Sequence, residues 1–220
     1  MKGLTWLEDT DPPGDFPPVA MALREPNGLL AAGGDLSPER VRAAYCRGIF
    51  PWYAAGEPVL WWSPDPREVL VPDQFHCSRS LRRRLRSEVF RITEDTAFPE
   101  VIDACAAARG ASTGAGTWIT PQMRSAYVGL YRLGLAHSVE VWAGQALVGG
   151  LYGVRTGRVF SGESMFSRQD DASKAALAWL AGACPARGIA LIDCQVPSAH
   201  LRSLGSRPIP RAQFVEFLAP

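Results

Sequence analysis

Apolar residues first fall into a helical spacing just after residue 37. Val41, Ala44 and Tyr45 lie three and four apart, which puts them on one helix face. Ser37 stands before them as a cap, Pro38 takes the first helical position and Gly48 closes the run. The same reasoning predicts helices over residues 97–109, 121–133 and 172–184, the second opened by Thr120-Pro121 and stopped by Gly134, and a last one over Arg211–Leu218. Runs of β-branched and alternating residues predict strands at Val69–Val71, Val89–Ile92, Ser138–Trp142, Ala146–Val154, Val159–Met165 and Ile189–Cys194, with a hairpin turn at Arg155-Thr156-Gly157-Arg158. Strand, hairpin, helix and strand in that order from residue 138 to 195 describe an α+β domain, a mixed sheet flanked by helices.

The first 36 residues show no sustained period and carry Pro12-Pro13-Gly14, Pro17-Pro18 and Gly33-Gly34. They are expected as loops and short extended pieces. Residues 51–67 are cut into turns by Pro51, Pro58, Pro64 and Pro66. A boundary near Asp65 therefore divides a small loop-rich N-terminal domain, 1–65, from a larger domain, 66–220.

Charge adds little to this picture. The chain has 220 residues and a net charge of +1, so a polyanion partner would need a local patch. Of 23 cations only Lys2 and Lys174 are lysines, a bias that base composition explains as readily as phosphate recognition. Five cysteines, Cys46, Cys77, Cys105, Cys184 and Cys194, show no C-x-x-C pair and no ligand spacing with His76, His137 or His200; reduced thiols and no metal site are expected. The start has no apolar signal region, and the apolar helical stretch Ala175–Cys184 is about half a membrane span, so a cytoplasmic protein is expected. Neither a G-x-x-x-x-G-K-[ST] loop nor a strand-linked G-x-G-x-x-G is present.

Four places can carry chemistry, and each has a plain structural alternative. The aromatics around Trp52, Trp61 and Trp62, with Trp118, offer stacking platforms for unpaired bases or simply staple a loop-rich subdomain to the core. Arg79, Arg82, Arg83 and Arg86 form a helical stripe suited to phosphates, or a solvated face. Glu163 is a carboxylate in an apolar strand, facing a ligand's cation or tied in a salt bridge. Asp193 and Gln195 share a strand face by period-two alternation, as one hydrogen-bonded unit or as a strand-end pair.

Taken in order, the strings Leu23–Leu30, Gly33–Ser37, Gly48–Trp52, Trp61–Arg67, Gly116–Thr120, Ala136–Glu140, Gly149–Val154, Gly162–Ser167 and Leu191–Gln195 resemble the leucyl/phenylalanyl-tRNA–protein transferases over about residues 16–217. Two departures stand outside those strings: an apparent insertion at Ala111–Ala115, and an end at Pro220 where some members carry a longer tail. The resemblance implies a GNAT-type acyltransferase domain that uses aminoacyl-tRNA in place of acetyl-CoA. A Q/R-x-x-G-x-G/A pyrophosphate loop is absent, and no cofactor is expected. It further implies transfer of Leu or Phe, and less readily Met, from Leu-tRNA or Phe-tRNA to proteins beginning with Arg or Lys, which marks them for degradation; a monomer is the default.

By that resemblance Trp52 and Trp118 hold the terminal adenosine, and Arg79, Arg82, Arg83 and Arg86 meet acceptor-stem phosphates. Leu151, Met165, Phe166, Leu177 and Ile192 are candidates for the apolar side-chain pocket. Gln195 orients the attacking amine, Asp193 fixes the Gln195 amide and stabilises developing positive charge, with a proton relay through this pair as the alternative, and Glu163 pairs with a cation of donor or acceptor. A coenzyme A-dependent acetyltransferase and a non-catalytic RNA-binding module remain as alternatives. The second would have no use for Glu163, Asp193 and Gln195.

Overall fold

A computed structural model describes residues 4–87, 89–113 and 117–219, with backbone only at 109–113. Residues 114 and 115 of the expected insertion, Gly116 of the Trp118 string and Pro220 lie outside that range. The chain opens with β1 (Thr5–Leu7), β2 (Leu29–Gly33), α1 (Pro38–Tyr45), β3 (Phe50–Pro51) and β4 (Leu60–Trp62). The four strands form one sheet in the order β1-β2-β4-β3, with β1 parallel to β2 and the other pairs antiparallel. The short extended pieces expected among the first 36 residues are strands of this sheet, and the stretch 51–67, expected as turns, supplies β4 and the end of β3. Its strands are too short to show alternation, and Pro51 is tolerated because β3 lies at the edge.

Trp61 is fully buried and donates its indole N–H to the Gly33 carbonyl at 2.8 Å; Trp62 donates to the Trp52 carbonyl at 2.7 Å. Gly33 is required there, since its φ is +82° and a Cβ would meet the Leu7 carbonyl at 2.4 Å. α1 begins as expected, with the Ser37 hydroxyl accepting from the Arg40 N–H.

The rest of the chain supplies β5 (Arg67–Leu70), α2 (Arg79–Arg86), β6 (Arg91–Glu94), α3 (Phe98–Thr113), α4 (Pro121–Arg132), β7 (Ala136–Ala143), β8 (Ala146–Thr156), β9 (Val159–Ser167), α5 (Ala172–Ala183), β10 (Leu191–Gln195), α6 (Ala199–Ser203), β11 (Arg207–Ile209) and α7 (Arg211–Glu216). Seven strands make a sheet in the order β11-β5-β10-β9-β8-β7-β6, in which β9–β10 is parallel and every other pair antiparallel. This is the mixed sheet and the α+β class expected. Alternation sorts its faces: Tyr152, Val154 and Phe166 pack with Phe98, Val101 and Tyr127 of α3 and α4, while Val139, Val141, Leu151 and Ile192 pack with Leu177 and Leu180 of α5. The first of these cores also takes in Leu7, Tyr45 and Trp61, so it is continuous with the N-terminal sheet. The strand expected at Val89–Ile92 lies two residues later, paired with β7 from Arg91↔Trp142 to Glu94↔Val139. Among the described residues no helix is long and apolar enough to cross a membrane, and no group of His, Cys, Asp and Glu is arranged to hold a metal ion.

The string Ala136–Glu140 has a structural purpose. Glu140 is fully buried and accepts from the hydroxyls of Thr93 (2.6 Å), Thr96 (2.8 Å) and Ser138 (2.5 Å), and from the Thr96 and Ala97 amides leading into α3. Its charge sits at the positive end of the α3 dipole. Glu140→Ala strands several buried donors, so unfolding in urea is expected to show a loss of about 3 kcal/mol; an unchanged midpoint would show that Glu140 holds nothing together.

Candidate active site

β9 and β10 run side by side only from Val159↔Leu191 to Ser161↔Asp193. Beyond that point each carries a bulge. In β9, Tyr152 pairs with Ser164 and Gly153 with Gly162, leaving Glu163 as the extra residue; in β10, Val69 pairs with Asp193 and Glu68 with Gln195, leaving out Cys194. Bulges bend a strand and re-aim its side chains, and Gln195 has a φ of +58°. The strands part, and a cleft of about 420 Å³ opens where they do. Phe50, Pro51 and Trp52 line it from the N-terminal sheet and the loop beside it, Leu177 and Leu180 from α5, and Ser198, His200 and Leu201 from α6 and its cap.

The polar floor is built on Asp193, which is fully buried. Arg67 grips it bidentately, Nε to Oδ1 at 2.8 Å and Nη2 to Oδ2 at 2.7 Å, and donates its remaining nitrogen to the Gly48 carbonyl at 3.1 Å. The guanidinium is sandwiched between the rings of Phe50 and Phe214, 4.8 and 4.6 Å from their centres. Ser161 Oγ donates to Asp193 Oδ2 at 3.1 Å, and the Gln195 backbone N–H donates to Oδ1 at 2.9 Å. Both charges of this pair are out of water, where either left alone would be strongly destabilising.

Among the described residues Glu163 has no such ionic partner. Its Oε2 accepts from Tyr127 (2.8 Å), whose hydroxyl lies 2.7 Å from that of Tyr45, and its Oε1 accepts from Gln195 Nε2 at 3.3 Å. Loss of solvation around the carboxylate pushes its pKa up to about 7; the phenols and Arg67 pull against that rise, and the charge of Asp193 adds to it. The same burial, together with the nearby Glu163 charge, holds Tyr45 and Tyr127 well above the usual phenol range.

Most of the residues singled out by sequence meet here. Trp52 is 46% exposed and rests edge-on against Trp62 at 5.7 Å. Trp118 lines the cleft with it, and Leu151, Met165, Leu177 and Ile192 form its apolar wall. Phe166 does not belong there. It packs on the opposite face of the sheet with the α3 and α4 core, because neighbouring residues on a strand point to opposite sides and Met165 already faces the cleft. The relation of Asp193 to Gln195 also differs from expectation: Asp193 holds the Gln195 backbone, and the side-chain amide is bound by Glu163. Arg79, Arg82, Arg83 and Arg86 are exposed on α2, which Ser78 caps and which packs against α5. Sequence reading gave no role to Arg67, Tyr45 or Tyr127. The first had one signal, its place in the string Trp61–Arg67, and the phenols had none beyond their helical faces.

A tryptophan at the mouth, an apolar wall and a buried polar floor define a cleft for a ligand that is flat at one end and apolar at the other, with polar chemistry between them. The family model described as leucyl/phenylalanyl-tRNA protein transferase matches residues 69–219, and the model of that family's N-terminal domain matches residues 34–65. A leucyl/phenylalanyl-tRNA–protein transferase of Stutzerimonas stutzeri is 59% identical over 216 residues, 98% of this chain and 94% of that one. One of Pseudomonas aeruginosa is 56% identical over 215 residues, covering 98% and 93%. The chain belongs to the leucyl/phenylalanyl-tRNA–protein transferase family. Among solved structures, a GCN5-related N-acetyltransferase of Kribbella flavida aligns with 12% identity and a TM-score of 0.39 over 76% of this chain and 58% of that one, a likeness too loose to carry an argument.

The raised pKa of Glu163 has a thermodynamic consequence. Between its ordinary value of 4.5 and about 7 the folded state holds a proton that the unfolded chain has lost, so this group's contribution to stability falls as pH rises through that window. Replacing Glu163 by Gln removes the titration. Relative to wild type, the variant's urea midpoint is expected to climb from about pH 4.5 to about pH 7 and then level off; parallel midpoint curves would show that the carboxylate is not so perturbed.

Proposed function

We propose that this protein transfers Leu or Phe, and less readily Met, from aminoacyl-tRNA to the N-terminal α-amino group of proteins that begin with Arg or Lys, leaving a degradation signal. One observation carries the reading from the geometry: a single cleft gathers an aromatic mouth, an apolar wall, an amide and a carboxylate that has no ionic partner among the described residues. Trp52 and Trp118 stack the terminal adenosine, and Arg79, Arg82, Arg83 and Arg86 contact acceptor-stem phosphates. Leu151, Met165, Leu177 and Ile192 receive the amino-acid side chain. Such a wall discriminates weakly, since one methylene is worth about 1–3 kcal/mol, and that suits an enzyme accepting several large apolar residues.

The donor ester is already activated by its synthetase, so transfer needs neither a covalent nucleophile nor ATP. Holding amine and ester together can supply much of the rate. An α-amino group titrates at about 7.7–8.0, so part of it is neutral at cytoplasmic pH. Gln195 Oε1 accepts from the attacking amine. Asp193, already neutralised by Arg67, works as a positioning residue through the Gln195 backbone. Glu163 takes the cation, either the donor's ammonium or the acceptor's basic side chain. We also place the domain boundary near Asp65 and the working enzyme in the cytoplasm as a monomer.

The direct test offers labelled Leu-tRNA to a peptide beginning with Arg and to a matched peptide beginning with Ala. Label should reach the Arg peptide alone, and Asp193→Asn should lower the rate about 100-fold by displacing Gln195. If charged tRNA binds but neither peptide is labelled, the RNA-binding module is the better account. A second measurement reads the arginine stripe: the variant carrying both Arg82→Ala and Arg83→Ala should reduce the slope of log affinity against log salt by about 2, near one per phosphate contact. An unchanged slope would move the tRNA contact off α2.

A further inference from the structure

The hydrogen bonds behind Glu163 run in one direction. Tyr127 gives its single hydroxyl proton to Glu163 Oε2, so the contact of 2.7 Å between the two phenols is made by the proton of Tyr45. Tyr45 therefore donates to Tyr127 and Tyr127 to Glu163, a chain whose members polarise one another. Both phenols are buried, Tyr45 on α1 and Tyr127 on α4, and Tyr127 is braced edge-on by Tyr152 of β8 at 5.4 Å. On the cleft side Glu163 Oε1 receives the Gln195 amide nitrogen.

We propose that Tyr45 and Tyr127 are positioning residues for the transfer: their hydroxyls hold Glu163 as an acceptor-only carboxylate, and Glu163 in turn fixes the Gln195 amide with its oxygen toward the incoming amine. The proposal rests on the transfer reading above. An ionised carboxylate has no proton to give, so the amide beside it must present N–H and keep Oε1 free. Once Glu163 is protonated it becomes a donor. Its O–H can then bind Oε1, which turns the amide round and offers the amine an N–H group where it needs an acceptor. The charged and titratable groups acting on Glu163 are Tyr45, Tyr127, Asp193 of β10 and Arg67 of β5, and His200 of α6 lines the same cleft; of the two phenols, Tyr127 donates to Glu163 directly and Tyr45 supports it through Tyr127. Protonation near neutral pH makes this a working switch, with the active form on the alkaline side.

The experiment is the transfer rate at saturating Leu-tRNA and Arg peptide, followed from about pH 6 to about pH 9, for wild type, Tyr127→Phe and Tyr45→Phe. Phenylalanine keeps the rings and removes only the hydroxyls. Without its donor Glu163 ionises less readily, so the acid limb for Tyr127→Phe is expected to move up by about one pH unit, a loss of about tenfold below the limb with near wild-type rate at alkaline pH. Tyr45→Phe should move it the same way by less. The acceptor's own amine also titrates in this range, and Glu163→Gln, which removes the carboxylate, shows which part of the profile belongs to it. A rate lowered by one factor at all pH values, or limbs that stay in place, would overturn the proposal and leave the transfer reading intact. Wild type inactive at every pH would instead remove the reading itself. Glu163→Gln gives an independent check should Tyr127→Phe fold poorly: only the peptide's limb should remain, and an unchanged wild-type limb would count against the proposal.

Discussion

The ion pair between Arg67 and Asp193 is the fixed point of this molecule. The Arg67 guanidinium touches four residues spread along the chain: Gly48 after α1, Phe50 of β3, Asp193 of β10 and Phe214 of α7. The N-terminal sheet, the large sheet and the C-terminal helix thus share one guanidinium. A buried pair adds little net stability compared with well-packed apolar groups, yet losing either partner leaves an uncompensated charge. Its value is geometric. The contacts that satisfy both charges come from these separate segments, so they tie the site's floor to the strand that leads to the mouth at Trp52.

From that floor the two carboxylates of the cleft diverge in character. Asp193 is neutralised by a guanidinium, whereas Glu163, one strand away, has phenols and an amide for company. Environments that separate two neighbouring acids in this way usually separate their roles as well. The separation is produced by the backbone: the β9–β10 ladder stops after Ser161 and Asp193, and a bulge in each strand turns Glu163 and Gln195 toward one another across the gap.

Local signals in the sequence are legible where they are strong. Ser37-Pro38 and Thr120-Pro121 start α1 and α4 because a capping hydroxyl and a fixed proline φ act within a few residues. Four of the five residues chosen for the apolar pocket line the cleft; Phe166 was excluded by the very alternation that admits Met165. What stayed illegible depends on distance in sequence or on broken periodicity. Arg67 and Asp193 are 126 residues apart, Tyr127 and Glu163 are 36 apart, and a bulge shifts the side-chain period without any residue type to announce it. The N-terminal strands, of two to five residues, are set by pairing with each other rather than by their own pattern.

The state of Asp193 also bears on how the amine can lose its proton. A carboxylate offers about four lone-pair sites, and here all are taken: Oδ1 by Arg67 Nε and the Gln195 N–H, Oδ2 by Arg67 Nη2 and Ser161 Oγ. Accepting a proton through the Gln195 amide would break at least one of these bonds and leave the buried Arg67 charged without a full partner. A neutral amide is in any case a very weak base. Aminolysis of an activated ester makes no such demand, because a neutral amine attacks and its surplus proton can leave with the ribose oxygen. The arrangement suits orientation: a locked acid beneath, an amide hydrogen-bonded to a second acid above, and an apolar wall beside them.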